Sequence, residues 1–409
     1  MSELINRRDA IKRGGMIAVG LVAPRWLATV AEANVLNLAK GGKIAKDTVL
    51  VVCQFSGGND GLNTFVPYAD KLYSQLRPTI GVPEDQVLKV TDSMGMNPAL
   101  APLAELYKKG QVAIIQNVGY PTPNRSHFKS MDIWQSASPD SKLKYGWLGR
   151  HIDSELLHGP ANPVYALGLS TEKPLALAGK TASVPCFASL ADIQNMIGDP
   201  DTERMLREIQ GIEAKQGSLE QVVQKANKTA LDAMDVLASQ LNKYAPKQTY
   251  GNDPFGNGFK QISQLVATSP QTRIVYFSTG GFDTHARQVE SQTKLLTNFA
   301  NAIGAFQAEM EACGKADKVI VLVFSEFGRR VAENGSQGTD HGAAGPMMLI
   351  GKKVKGGFHG PNPNLRDLVN GDLKYQIDFR QVYAATLDEW VGGDSGTVLG
   401  QKFDHVPVL

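Results

Sequence analysis

The chain has 409 residues, 42% of them hydrophobic, with 42 Lys+Arg against 40 Asp+Glu and a formal net charge of +2. It is long enough for a large core and too rich in apolar residues for a disordered or collagenous chain. Five basic and three acidic residues fall in 1–33, so the rest is neutral with 37 of each, which gives no electrostatic reason to bind nucleic acid.

The first thirty-odd residues read as an address. Asn6-Arg-Arg-Asp-Ala-Ile-Lys12 pairs two arginines ahead of a weakly apolar run, Gly14 to Ala23, and Ala31-Glu32-Ala33 supplies a small-x-small cleavage pattern. The expectation is an export signal over 1–33. Its twin arginine points to the Tat translocase as a transient partner and to a periplasmic or secreted protein. The apolar run is too short to span a bilayer.

Beyond it, Thr48 to Phe55 is a β-branched apolar run, the pattern of a strand buried on both faces, and Val112 to Val118 repeats it. Between them Leu100, Leu103 and Leu106 have helical spacing. Strand, helix and strand predict a βαβ unit and a parallel sheet. Residues 201–242 are rich in Glu, Lys, Gln and Ala and predict a helical insertion, broken near Gly211 and Gly217. A loop over 244–258 precedes a strand at 273–277, a helix at 291–312, a strand at 318–324 and a short strand at 346–350. The alternation implies an α/β fold whose ligands sit beyond the carboxyl ends of the strands. Cys53, Cys186 and Cys313 cannot make a disulfide framework, and none has the spacing of a zinc finger.

Each clear strand runs into a polar cluster: Ser56 to Gly61 after the first, Pro123 to His127 after the second, then Ser278 to His285 and Ser325 to Arg329. Gly338-Thr-Asp-His-Gly342 lies just before the last short strand. Each cluster alone reads as a turn or a helix cap. Carboxylates and imidazoles gathered at one sheet edge, however, are costly unless something pairs with them, and a divalent metal takes both ligand types. Neither a dinucleotide fingerprint nor a P-loop is present, and no GxSxG elbow occurs.

Six ordered motifs then carry a resemblance over nearly the whole chain: the export signal, Phe55 to Gly61, Asn124 to Phe128, Gly281 to His285, Phe324 to Arg329 and Thr339 to Gly342. Together they resemble the bacterial family known as domain of unknown function 1501, whose architecture is similar to the alkaline phosphatase/sulfatase superfamily. The resemblance implies one alkaline phosphatase-like α/β domain over 46–409, with a central, mostly parallel sheet flanked by helices. It implies a metal site at the strand ends from Asp60, Asp283, His285, Glu326 and His341. It also places Ser126 as the nucleophile at a helix start. The chain departs from the superfamily in its shorter Asp283-x-His285 spacing, in Ser325-Glu326 where an Asp-His pair is usual, and in lacking a Cys/Ser-x-Pro-x-Arg motif.

The function this implies is a metal-dependent hydrolase or transferase for a phosphate or sulfate ester on a small molecule or glycan. Zn, Mn, Mg or Ca would activate Ser126 or a water, Arg125 or Arg329 would steady the anion, and His127 would protonate the leaving group. Two other readings remain open: a non-catalytic metal- or glycan-binding protein on the same scaffold, and a metal-free serine hydrolase with Ser126 near a histidine other than His127.

Overall fold

A computed structural model of the chain describes residues 47–156, 162–191, 201, 204, 208, 218–241 and 243–409. The expected export signal and most of 201–217 lie outside these residues.

The sheet comprises, in chain order, β1 (Val49–Phe55), β2 (Val112–Gly119), β3 (Ala166–Leu169), β4 (Cys186–Phe187), β5 (Ile274–Thr279), β6 (Val319–Ser325), β7 (Gly345–Ile350), β8 (Gly357–His359) and β9 (Ile377–Asp378). Across the sheet the order is β8-β2-β7-β6-β1-β5-β3-β4, with β9 also beside β2. Central β1 is parallel to β5 and to β6, setting Cys53 level with Phe277 and Val323. β3, β4, β8 and β9 are parallel to their neighbours too. Only β7 reverses, running antiparallel to both β2 and β6. The result is a mixed, mostly parallel sheet.

The helices used below are α1 (Ala101–Lys108), α2 (His127–Ser136), α3 (Trp147–Glu155), α4 (Leu219–Leu241), α5 (Pro254–Thr268), α6 (Gln288–Ala312) and α7 (Phe379–Ala385). They cover both faces, as the continuous apolar runs demand. All seven residues of β1 are buried. Val49, Val51, Cys53 and Phe55 enter one core with Leu103 of α1, Met234 of α4, Phe259 of α5 and Phe299 of α6. Leu50 and Val52 enter the other with Trp134 of α2, Trp147 of α3 and Tyr383 of α7. Each large side chain so buried contributes about 1.5–3 kcal/mol. α4 lies within the predicted helical insertion, and α5 starts inside the predicted loop, where Asp253 caps Phe255 and Gly256 and Pro254 fits the first turn.

Because β1, β2, β5 and β6 are mutually parallel, the segments that leave them emerge at one edge. The reversed β7 enters the sheet at that same edge. Four exits and one entry therefore bring five separate stretches of chain together. No helix among the described residues is long and apolar enough to cross a membrane.

Candidate metal centre

Two glycines after β1 allow the loops to close on one another. Gly57 has φ +122°, and a Cβ there would lie 2.4 Å from the Asp283 backbone nitrogen. At Gly58, φ +79°, a Cβ would lie 2.3 Å from the Phe327 ring. Neither conformation nor approach suits an L side chain. The Phe327 ring in turn sits 4.9 Å from the His127 ring and 4.6 Å from that of His341, forming an apolar floor beneath them.

On this floor three imidazoles converge on one carboxylate. The Nε2 atoms of His285 and His341 are 2.9 Å apart, and each is 3.1 Å from Asp283 Oδ1. His127 Nε2 lies 3.4 Å from Asp283 Oδ2. His127, Asp283 and His341 each offer a ligand atom within 4.8 Å of the others. Asp283 is also anchored by Arg329, whose Nη2 is 2.6 Å from Oδ1. Burial raises the Asp283 carboxyl, but hydrogen bonds from Arg329 and His341 and the Arg329 charge outweigh it, holding the group at about 2.

The outer nitrogens fix the tautomers. His341 Nδ1 is 2.8 Å from the Arg125 carbonyl oxygen, which only accepts. His127 Nδ1 is 2.9 Å from Glu326 Oε1, which also accepts from the Gly57 N–H at 2.8 Å. His285 Nδ1 is 3.3 Å from Asp340 Oδ1, and Asp340 is held below the usual carboxylate range first by a hydrogen bond from Asn334. Each Nδ1 thus donates outward, so a neutral ring has its Nε2 lone pair free to turn inward. A second proton on His341 Nε2 is what its hydrogen bond to Asp283 uses. Two lone pairs 2.9 Å apart beside a carboxylate repel unless a proton or a metal ion lies between them, and the same atoms can take either. His127 Nε2 is moreover a buried atom with no hydrogen-bond partner. Histidines with Nδ1 bound to oxygen and Nε2 converging are how metal sites hold their ligands.

The structure thus brings together Asp283, His285 and His341, as the sequence predicted, and adds His127, which the sequence reading cast as a proton donor. The other two expected ligands lie elsewhere. Asp60 is buried and committed: Oδ1 caps Leu62 and Asn63, and Oδ2 pairs with Arg77 at 2.6 Å. Glu326 is fully buried behind His127 and acts on that ring rather than on the centre. Arg329 is not free to take an anion, because its side chain is fully buried and already donates to Asp283 and to the carbonyls of Gly57, Gly58, Phe282 and Thr339. Arg125 is clamped by Asp372, a residue that no sequence pattern marked. Ser126 precedes α2 with an exposed side chain that caps nothing, leaving its hydroxyl available.

No curated protein matches the chain. Similar solved structures include a protein in the alkaline phosphatase superfamily from Vibrio parahaemolyticus, at 9% identity and TM-score 0.35, over 91% of this chain and 77% of that one. The PsFucS1 sulfatase from Pseudoalteromonas sp. is 10% identical with TM-score 0.38, over 98% of this chain and 75% of that one. The phosphonate monoester hydrolase SpPMH from Silicibacter pomeroyi is 11% identical with TM-score 0.34, over 87% and 77%. The family model described as Protein of unknown function (DUF1501) matches residues 112–392, well over half of the 409, and the chain belongs to that family.

Proposed function

We propose that the protein is an exported metal-dependent hydrolase or transferase acting on a phosphate or sulfate ester of a small molecule or glycan. The observation that carries it is the inward convergence of His127, His285 and His341 Nε2 on Asp283, each ring held from behind by an oxygen. Three imidazoles and a carboxylate suit zinc or another transition ion, whereas magnesium and calcium prefer all-oxygen shells. A divalent ion held there supplies Lewis acidity to an ester oxygen and lowers the pKa of a hydroxyl beside it.

The chain's own residues do the rest. Ser126, next in sequence to His127 and at the positive end of the ten-residue α2, is the proposed nucleophile. Arg125, exposed on one side and clamped by Asp372 on the other, faces the anionic group of the ester. His127 serves as a ligand, so the leaving group takes its proton from water or from another side chain.

Elemental analysis of the exported chain, purified without chelator or affinity metal, tests the centre. One equivalent of metal is expected, lost in His341→Ala and in His127→Ala. Folded wild-type protein without metal would falsify the assignment. Lysines at Arg7 and Arg8 are expected to keep the precursor in the cytoplasm, and unimpaired export of that variant rules out the Tat route.

One observation favours the second reading, a binding protein: His127, Asp283 and His341 with the adjacent His285 offer four protein donors, as many as a closed tetrahedral shell takes. Metal-dependent turnover of phosphate or sulfate esters that disappears in Ser126→Ala supports the enzyme. Full metal content without turnover or an exchangeable water supports the binding protein.

A further inference from the structure

Resting on the metal reading above, we infer that Gln288, braced by Asp60, is a positioning residue that sets the spacing between the two ligand-bearing loops. Gln288 is the first residue of α6 and is completely buried. Its Oε1 accepts from Thr339 Oγ1 at 2.6 Å and from Thr284 Oγ1 at 3.1 Å. Thr284 stands between Asp283 and His285, and Thr339 two residues before His341. One carbonyl oxygen thus ties the loop that follows β5 to the segment that enters β7. The backbones meet at the same place, where Thr339 N donates to Thr284 O at 3.2 Å and Gln288 N to Gln337 O at 2.9 Å.

The other end of the amide fixes its orientation. Gln288 Nε2 donates to Asp60 Oδ2 and, at 3.3 Å, to Gln292 Oε1. Asp60 is itself immobilised by Arg77 and by the N–H groups it caps. Arg77 continues the brace to the segment after β6, donating to the carbonyls of Val331 and Arg330 at 2.8 Å each. Every polar atom of the Gln288 side chain is therefore used, and none can turn without leaving a buried group unpaired. The need for this precision is chemical. His285 and His341 come from different segments yet present Nε2 atoms 2.9 Å apart, and an ion tolerates errors of only about 0.5 Å in such a pair. The Asp60 that the sequence suggested as a ligand serves the centre two bonds away from it.

The test compares metal affinity, by chelator competition, with global unfolding and with amide exchange at Thr284 and Thr339. Gln288→Leu keeps bulk but frees both threonine hydroxyls, and about a tenfold loss of affinity is expected beyond any change in the folded fraction. Gln288→Glu sets two carboxylates face to face and is expected to lose as much. A residue that merely filled the core would lose affinity only in step with the folded fraction. Thr339→Val, nearly isosteric, reads the same tie from the other side if Gln288→Leu does not fold. Folded Gln288→Leu or Thr339→Val protein with wild-type affinity overturns the inference. Wild-type protein that holds no metal sinks the proposed function instead, and amide exchange then decides this inference: faster at Thr284 and Thr339 in the variants upholds it, unchanged overturns it.

Discussion

Glu326 Oε1 receives both the Gly57 N–H and the His127 Nδ1–H, so one buried oxygen joins the loop after β1 to the ring that β2 delivers. Replacing Glu326 by Gln keeps the shape and weakens that acceptor. About a tenfold loss in metal affinity is expected, read by chelator competition, with the fold intact by circular dichroism. Sequence reading reached this residue and misjudged its role for a definable reason. Motif spacing shows which loop a carboxylate rides on, but not whether its side chain faces the centre or the ring behind it. Asp60 failed in the same way, since its fate depends on Arg77, seventeen positions on, and on Gln288 in a distant helix. Asp283, His285 and His341 could be placed at the sheet edge because each lies within a few residues of a strand end. So do Asp60 and Glu326, and which side chains turn inward is set by contacts the sequence does not show.

Among the elements, the long buried strands announced themselves and the short ones did not. β1, β2, β5 and β6 are continuous apolar runs bounded by glycine or polar clusters. β4, with two residues, and β8, with three, are too brief to show any period and exist because a neighbouring edge offers hydrogen bonds. Helix α3 shows how an element can carry a pH response that its sequence hides. Its His151 is fully buried, Nε2 lies 3.2 Å from the Tyr165 hydroxyl, and burial pushes the imidazole down to about 4. As pH falls below about 6.5 the unfolded chain takes up this proton while the folded chain resists until about 4, so stability drops across that window and rises with pH. The full effect is on the order of 3 kcal/mol. Urea unfolding at pH 7 and pH 4.5 should show the wild type losing stability and His151→Phe losing distinctly less; equal losses would remove His151 as the cause.

For the whole molecule, the parallel strands account for why residues as far apart as His127 and His341 meet, and the reversal of β7 accounts for how His341 arrives. The sequence pattern marked 346–350 as a strand, but an apolar run of that length says nothing about direction. That direction has a kinetic consequence. β7 lies between β2 and β6: its ladder with β6 joins neighbouring stretches of chain, whereas its ladder with β2 joins strands more than 200 residues apart and needs a long loop closure. The ladder with β2 is the one that topology makes slow. On the proposed metal reading, an ion held by His127 and His341 needs the ends of β2 and β7 together, so it is absent while the sheet assembles and present when it comes apart. Stopped-flow measurements with and without chelator should therefore find refolding rates nearly equal and unfolding markedly faster in the stripped protein. On that reading the metal is less a builder of this fold than the bolt that keeps β7 from backing out.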